Sequence, residues 1–368
     1  MDFRTVIKPA PATVRVDHSS GIVMLGSCFS DNIGRRLLDG LFDVDVNPMG
    51  TLYNPASIAS ALDDIMARRE FAAAELFEHD GRWHSFAHHS RFSGTDPEKV
   101  LRGINSRLRT AHDNLRRAGV LIVTFGTAWI FTLRATGRVV SNCHKLPSAM
   151  FIRSRMSVDD IVALWQPLLA RLREFNPSLQ VIFTVSPIRH LADGAHGNQL
   201  SKATLLLAVD SLIGRDAACS VRESASQPTS FATPSEVVCP DGSVLLIDPV
   251  PPMAVEYFPA YEALMDDLRD YRFYAADMTH PSETAVDYVY SLFAESHMSE
   301  ATRDLATACR KVTRRLAHRP MTDDPAAIER FGQSTRQLVE ALSLSHPYLK
   351  KAITNYNHLT KCFTQSPA

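Results

Sequence analysis

The sequence predicts an α/β fold built on a doubly wound, parallel sheet. Four apolar, β-rich runs are continuous rather than alternating: 22–26 (IVMLG), 120–126 (VLIVTFG), 181–187 (VIFTVSP) and 244–249 (VLLIDP). Strands covered on both faces have this character. Helical patterns fall between them, over 31–41, 55–70, 97–118 and 157–175. Strands alternating with helices build parallel sheets through crossover connections. With 45% hydrophobic and 21% charged residues, the chain has material for a sizeable core and is no disordered polymer.

Each element has its own signal. The first strand runs into Gly26-Ser27-Cys28-Phe29-Ser30, with a helix beginning at Asp31. The run 42–48 (FDVDVNP) alternates, as an edge strand does. Two insertions interrupt the α/β alternation. Residues 75–95 carry Asp80-Gly81 between semi-alternating flanks, a hairpin signal, and 129–142 repeat it with Thr136-Gly137 at the tip. The stretch 220–243, rich in Ser, Pro and Thr, predicts a loop.

From residue 298 the pattern is helical only. Met298, Thr302, Leu305, Cys309, Val312 and Leu316 share one face, and Phe331, Thr335, Leu338 and Leu342 share another. Pro320 separates these helices and Pro347 follows the second. The expected division is an α/β domain at 1–297 and a helical C-terminal extension at 298–368.

Charge and cysteine usage narrow the function classes. A net charge of −1 gives no basic surplus for neutralising phosphates, so nucleic acid is not an expected partner. The local basic excess at Arg310, Lys311, Arg314 and Arg315 has helical spacing and reads as a solvated face. Six cysteines without CxxC pairing give neither a zinc signature nor a disulfide framework. No window approaches the roughly 20 apolar residues of a membrane span, and residues 1–17 hold no signal-peptide core. The expectation is a soluble, cytoplasmic protein with no membrane partner.

Two short blocks carry chemistry. Ser27 stands where a strand turns into a helix, at the functional edge of a parallel sheet and near a helix N-terminus that favours negative charge. That suits a nucleophile whose attack creates an oxyanion, and it equally suits a plain helix cap. The second block is Asp277-Met278-Thr279-His280-Pro281, followed by a helical pattern. An aspartate three residues before a histidine can hold Nδ1 and leave Nε2 to take a serine's proton. Cys28 beside Ser27 is the rival nucleophile.

These blocks, in this order and on this α/β pattern, resemble the SGNH, or GDSL-like, hydrolases. More narrowly, GSCFS at 26–30 is similar to the opening motif of the GSCFA family within that group. The likeness continues through NPMGTLYNP (47–55), WHSFAHHSRFSG (83–94), FGTAWIF (125–131), NCHKLP (142–147), TVSPIRH (184–190), SKATLLLA (201–208) and the stretch 257–283. The resemblance implies a three-layer flavodoxin-like fold with a central sheet of about five strands. It also implies a Ser–His–Asp triad and ester hydrolysis without a cofactor or metal. Carried over, Ser27 is the nucleophile, His280 the general base and Asp277 the orienting acid.

The wider group builds its oxyanion hole from the serine N–H, a glycine and an asparagine. Gly50 fits the glycine. After Gly126, however, this chain has Thr127-Ala128-Trp129, with alanine where the asparagine is expected. Asn142 is the preferred substitute, with Thr127 and Asn54 as alternatives and a structural turn role open for Asn142. His88, His89, His144 and His190 lie in blocks the family shares and are candidates for lining the pocket. Arg189 offers a hold on a substrate oxygen or carboxylate, against an internal salt bridge. His79, His84, His88 and His89 crowd one insertion without metal-ligand spacing. The expected reaction removes a short acyl group, such as O-acetyl, from a carbohydrate or small-molecule ester. Acyl transfer through the same acyl-enzyme, or a fold retained for binding alone, are the alternatives.

Overall fold

A computed structural model describes residues 4–224, 235–238, 244–247, 253–318, 321, 324–350, 352–354 and 356. Its centre is a five-stranded parallel sheet: β1 (Ile22–Gly26), β2 (Val44–Val46), β3 (Val120–Phe125), β4 (Gln180–Val185) and β5 (Val255–Tyr257). The spatial order is β5-β4-β3-β1-β2. Ile22 lies opposite both Val44 and Val120, and Val120 lies opposite Gln180. The order reverses between β1 and β3, so the crevice beyond their carboxyl ends is where such a fold takes a ligand.

Every residue of β1 and β3 is buried, which accounts for their continuous apolar sequences. Side chains alternate between the two faces. Val23 and Leu25 join a core with α2 (Pro55–Met66), α3 (Pro97–Arg117), α4 (Val158–Phe175) and α5 (Gly194–Ser224). Ile22 and Met24 join a second core with α1 (Cys28–Asp39) and α6 (Glu283–His297). Helix, sheet and helix make the three layers expected.

The sequence expectation fails at the fifth strand. Val244–Ile247 pairs antiparallel with Ser235–Val238 in a separate hairpin, and Val255–Tyr257 fills the sheet position. A short apolar run fits a hairpin as well as a buried strand, and Glu256 hides the true edge strand. The 220–243 loop is corrected likewise: α5 continues to Ser224 and Ser235–Val238 is a strand, while the rest of that stretch lies outside the described residues.

The first insertion is the hairpin expected, Leu76–His79 with Arg82–Ser85, turning through Asp80 and Gly81 at φ 50° and 69°. The second gains a third strand, with Trp129–Leu133 pairing both Val139–Val140 and Phe151–Arg155. Beyond residue 298 come α7 (Glu300–Ala317) and α8 (Pro325–Ser345). Cys309, Val312 and Leu342 are buried with Leu41 just past α1, and Thr313 Oγ1 donates to Asp39 O at 2.7 Å. Pro320 lies outside the described residues.

Candidate active site

The site begins at the corner between β1 and α1. The helix starts at Cys28, three residues earlier than its apolar pattern suggests, and Ser27 is its N-cap. Ser27 Oγ accepts from Phe29 N–H at 3.3 Å, and the Ser27 N–H donates to Thr124 O at 3.3 Å. Gly26, at φ +151°, lets the strand end press onto β3, since a Cβ there would fall 2.3 Å from Thr124 O. Asn47 fastens this corner: Oδ1 accepts from Gly26 N–H at 2.9 Å and Nδ2 donates to Asp31 at 2.9 Å. Thr51 Oγ1 donates to the other Asp31 oxygen at 3.1 Å, and Arg91 donates to Asn47 O.

The second wall is the loop before α6. Asp277 Oδ1 accepts the backbone N–H groups of Thr279 and His280, both at 2.9 Å, while Oδ2 meets His280 Nδ1 at 2.6 Å. The His280 N–H, then the Thr279 N–H, then the imidazole hold this carboxyl down at about 2. Ala275 N–H donates to His280 O at 2.7 Å, and Ser282 caps α6 immediately afterwards. With Nδ1 engaged, Nε2 faces the β1–α1 corner, where Cys28 Sγ is its hydrogen-bond partner at 3.8 Å. Burial, and then Asp31, push the Cys28 thiol above its ordinary range.

The back of the site is formed by the ends of β3 and β4. Gly126 and Thr127 donate their N–H groups to Tyr53 O at 2.7 and 2.9 Å. Lys202, from α5, donates to Gly126 O at 2.6 Å and Ser186 O at 2.5 Å, and burial lowers it to about 7. His190 packs edge-on against Tyr53. Its buried Nε2 has no hydrogen-bond partner among the described residues. Burial first, then the charges of Lys202 and His280, bring His190 down to about 4.

The other sequence-derived candidates divide. Thr127 stays with this wall, its Oγ1 sharing a 3.1 Å bond with Ser201. Arg189 is exposed beside it, donating to Met265 Sδ at 3.3 Å rather than to a carboxylate. Gly50 N–H donates to Asn47 O at 2.8 Å; at φ +88° this residue lets His89 pack where a Cβ would stand. Asn54 caps α2 through Ser57 N–H at 2.8 Å, and His89 caps a short turn through Arg91 N–H. Asn142 belongs to the hairpin side, accepting from His144 N–H at 2.8 Å. His144 Nε2 bonds Ser85 O at 2.8 Å, and His88, buried and pushed to about 3 chiefly by desolvation, bonds Ser85 Oγ. A cavity of about 1170 Å³ lies elsewhere, between β2 and the C-terminal helices, lined by His18, Leu41, Phe42 and Leu338 among others.

Asn47, Asp31, Tyr53 and Lys202 were not singled out from sequence. Asn47 and Tyr53 sit inside NPMGTLYNP and Lys202 is the second residue of SKATLLLA, so the blocks were visible but the roles were not. Among the described residues no helix is long and apolar enough to cross a membrane. Comparison with curated proteins and with solved structures gives no match. The model of the GSCFA family matches residues 21–220 and 247–293, spans that contain Ser27, His190, Lys202, Asp277 and His280. The chain belongs to the GSCFA family.

Proposed function

We propose that this protein is a serine hydrolase of the SGNH type, cleaving a short acyl ester of a carbohydrate or small-molecule acceptor. The observation that carries the reading is the 2.6 Å bond from His280 Nδ1 to Asp277, which leaves Nε2 turned toward the Ser27–Cys28 corner. Ser27 Oγ attacks the acyl carbon as His280 Nε2 takes its proton. The same proton passes to the departing alkoxide, leaving an acyl-enzyme. Water, deprotonated by His280, then releases the acid and restores the serine. No step calls on a cofactor. Asp277 fixes the imidazole and balances the imidazolium charge.

Water as the acceptor is favoured over a second alcohol because the acid–base pair is open: the side chains of His280 and Asp277 are 48% and 51% exposed. A second reading makes Cys28 the nucleophile, since its sulfur lies 3.8 Å from Nε2. The raised thiol pKa opposes it, because the thiolate is the reactive form. Labelling with a fluorophosphonate probe and mapping the modified peptide separates the readings. An adduct on Ser27 supports the serine mechanism, and an adduct on Cys28 replaces it with a thiol mechanism. A folded protein that resists the probe and leaves p-nitrophenyl acetate, butyrate and octanoate intact is not this kind of hydrolase.

A further inference from the structure

We propose that His190 Nε2 is the oxyanion donor that takes the place of the asparagine absent after Gly126. The inference rests on the serine-hydrolase reading and adds a catalytic residue to it. Three observations converge. A tetrahedral intermediate at Ser27 needs donors aimed at its new oxyanion, and the third block offers Ala128 at the asparagine's place. Among the described residues His190 Nε2 is buried without a partner, a costly state that a polar ligand would relieve. The third is position. The point where a Cβ on Gly126 would stand is 3.0 Å from Tyr53 O, 3.3 Å from Ser27 Cβ and 3.4 Å from His190 Nε2. The bare glycine therefore leaves a narrow gap between the Ser27 and His190 side chains, with Tyr53 O as its third wall.

The chemistry suits the task. Burial and the neighbouring Lys202 and His280 keep His190 neutral at physiological pH, so it does not compete with His280 as base. A neutral imidazole in the Nε2–H tautomer donates to developing negative charge without giving up its proton. Lys202, donating to Gly126 O and Ser186 O, holds the strand ends beside it. Asn142, by contrast, lies against the hairpin, its backbone N–H donating to Phe86 O at 3.4 Å and its Oδ1 accepting from His144 N–H.

The test combines kinetics with imidazole NMR on the full chain. Wild-type protein is first labelled with the fluorophosphonate; absence of a Ser27 adduct removes the serine reading itself, and the proposal with it. Given that adduct, His190→Phe lowers kcat by about 10²–10³ with little change in KM, and His190→Gln, which restores an N–H, recovers part of the loss. A folded His190→Phe enzyme with kcat within about twofold of wild type overturns the proposal while leaving the serine mechanism standing. Should the Phe variant fail to fold, the wild-type protein decides. Phosphonylation of Ser27 moves the His190 Nε2–H proton downfield if it donates to the phosphonyl oxygen, and an unmoved resonance overturns the proposal.

Discussion

Lys202 Nζ lies 2.6 Å from Gly126 O, fully enclosed, where β3 delivers its last residues to the site. Its other acceptor is Ser186 O, just past β4, and no carboxylate pairs with it among the described residues. One ammonium thus ties two neighbouring strand ends together. A buried cation held by two carbonyls, with the Tyr261 ring 6.0 Å away, is expensive, and such groups concentrate at functional sites.

Replacing Lys202 by Met exposes this cost through pH. The unfolded chain keeps the proton up to 10.5, whereas the folded protein releases it near 7. Between those values unfolding takes up a proton, so this group makes stability rise with pH across that window and penalises the native state below it. Lys202→Met removes the penalty but leaves two carbonyls without their donor, at about 1–3 kcal/mol each. Thermal melts should show the variant further below wild type at pH 9 than at pH 6.5. A difference that does not change with pH would mean that Lys202 stays charged throughout.

Asp277→Asn tests the orienting carboxylate. An amide cannot accept at Oδ1, bond the ring and balance an imidazolium in the same way. Loss of this group in a Ser–His–Asp triad costs about 10⁴ in turnover. A drop of that order is expected, with circular dichroism and melting temperature close to wild type because the loop is exposed. Since Asp277 is held near 2, its protonation does not contribute to any activity lost between pH 7 and 4. Near-normal turnover in the folded variant would remove Asp277 from the triad.

Much of this was legible because the physics is local. Continuous apolar runs marked β1, β3 and β4, since burial on both faces leaves no polar side to alternate. Asp80-Gly81 marked its hairpin because only such residues accept two successive positive φ angles. The Asp277–His280 bond was legible because three residues of spacing close one turn. Lys202 was not, because its partners lie 76 and 16 residues away in sequence. The same holds for His190: nothing local says that its Nε2 is left unpaired. Val244–Ile247 misled because apolarity signals burial without naming the sheet that provides it.

His88 gives a prediction independent of catalysis. It is 2% exposed, packs edge-on against Phe71 and Phe92, and bonds Ser85 Oγ at 2.9 Å. Desolvation takes it from 6.5 in the unfolded chain to about 3. Between these values unfolding takes up a proton, so stability falls as the pH drops from 6.5. Each such histidine contributes up to about 1.4 kcal/mol per pH unit in that window. His88→Asn should be less stable than wild type at pH 7, yet lose stability less steeply from pH 6 to 4.5 in urea titrations. An equal slope in the two proteins would show that His88 is not among the groups that drive acid unfolding.

Gly126→Ala examines the opening between Ser27 and His190 directly. Gly126 has no unusual φ, so alanine is compatible with its backbone. The added Cβ would meet Tyr53 O at 3.0 Å and Ser27 Cβ at 3.3 Å, both tighter than comfortable contact without outright overlap, and would touch His190 Nε2 at 3.4 Å. Shifts of a few tenths of an ångström let the methyl fit, so stability should fall modestly, by about 1–2 kcal/mol. Function should suffer more if His190 is the oxyanion donor, because the methyl would crowd the space between Ser27 and the imidazole. Misplacement on this scale costs about 10² in rate. Turnover of p-nitrophenyl acetate should therefore drop about 100-fold, with fluorophosphonate labelling slowed in parallel, while the melting temperature moves by only a few degrees. Labelling at the wild-type rate in the alanine variant would mean that the tetrahedral adduct forms on another side of Ser27, away from His190.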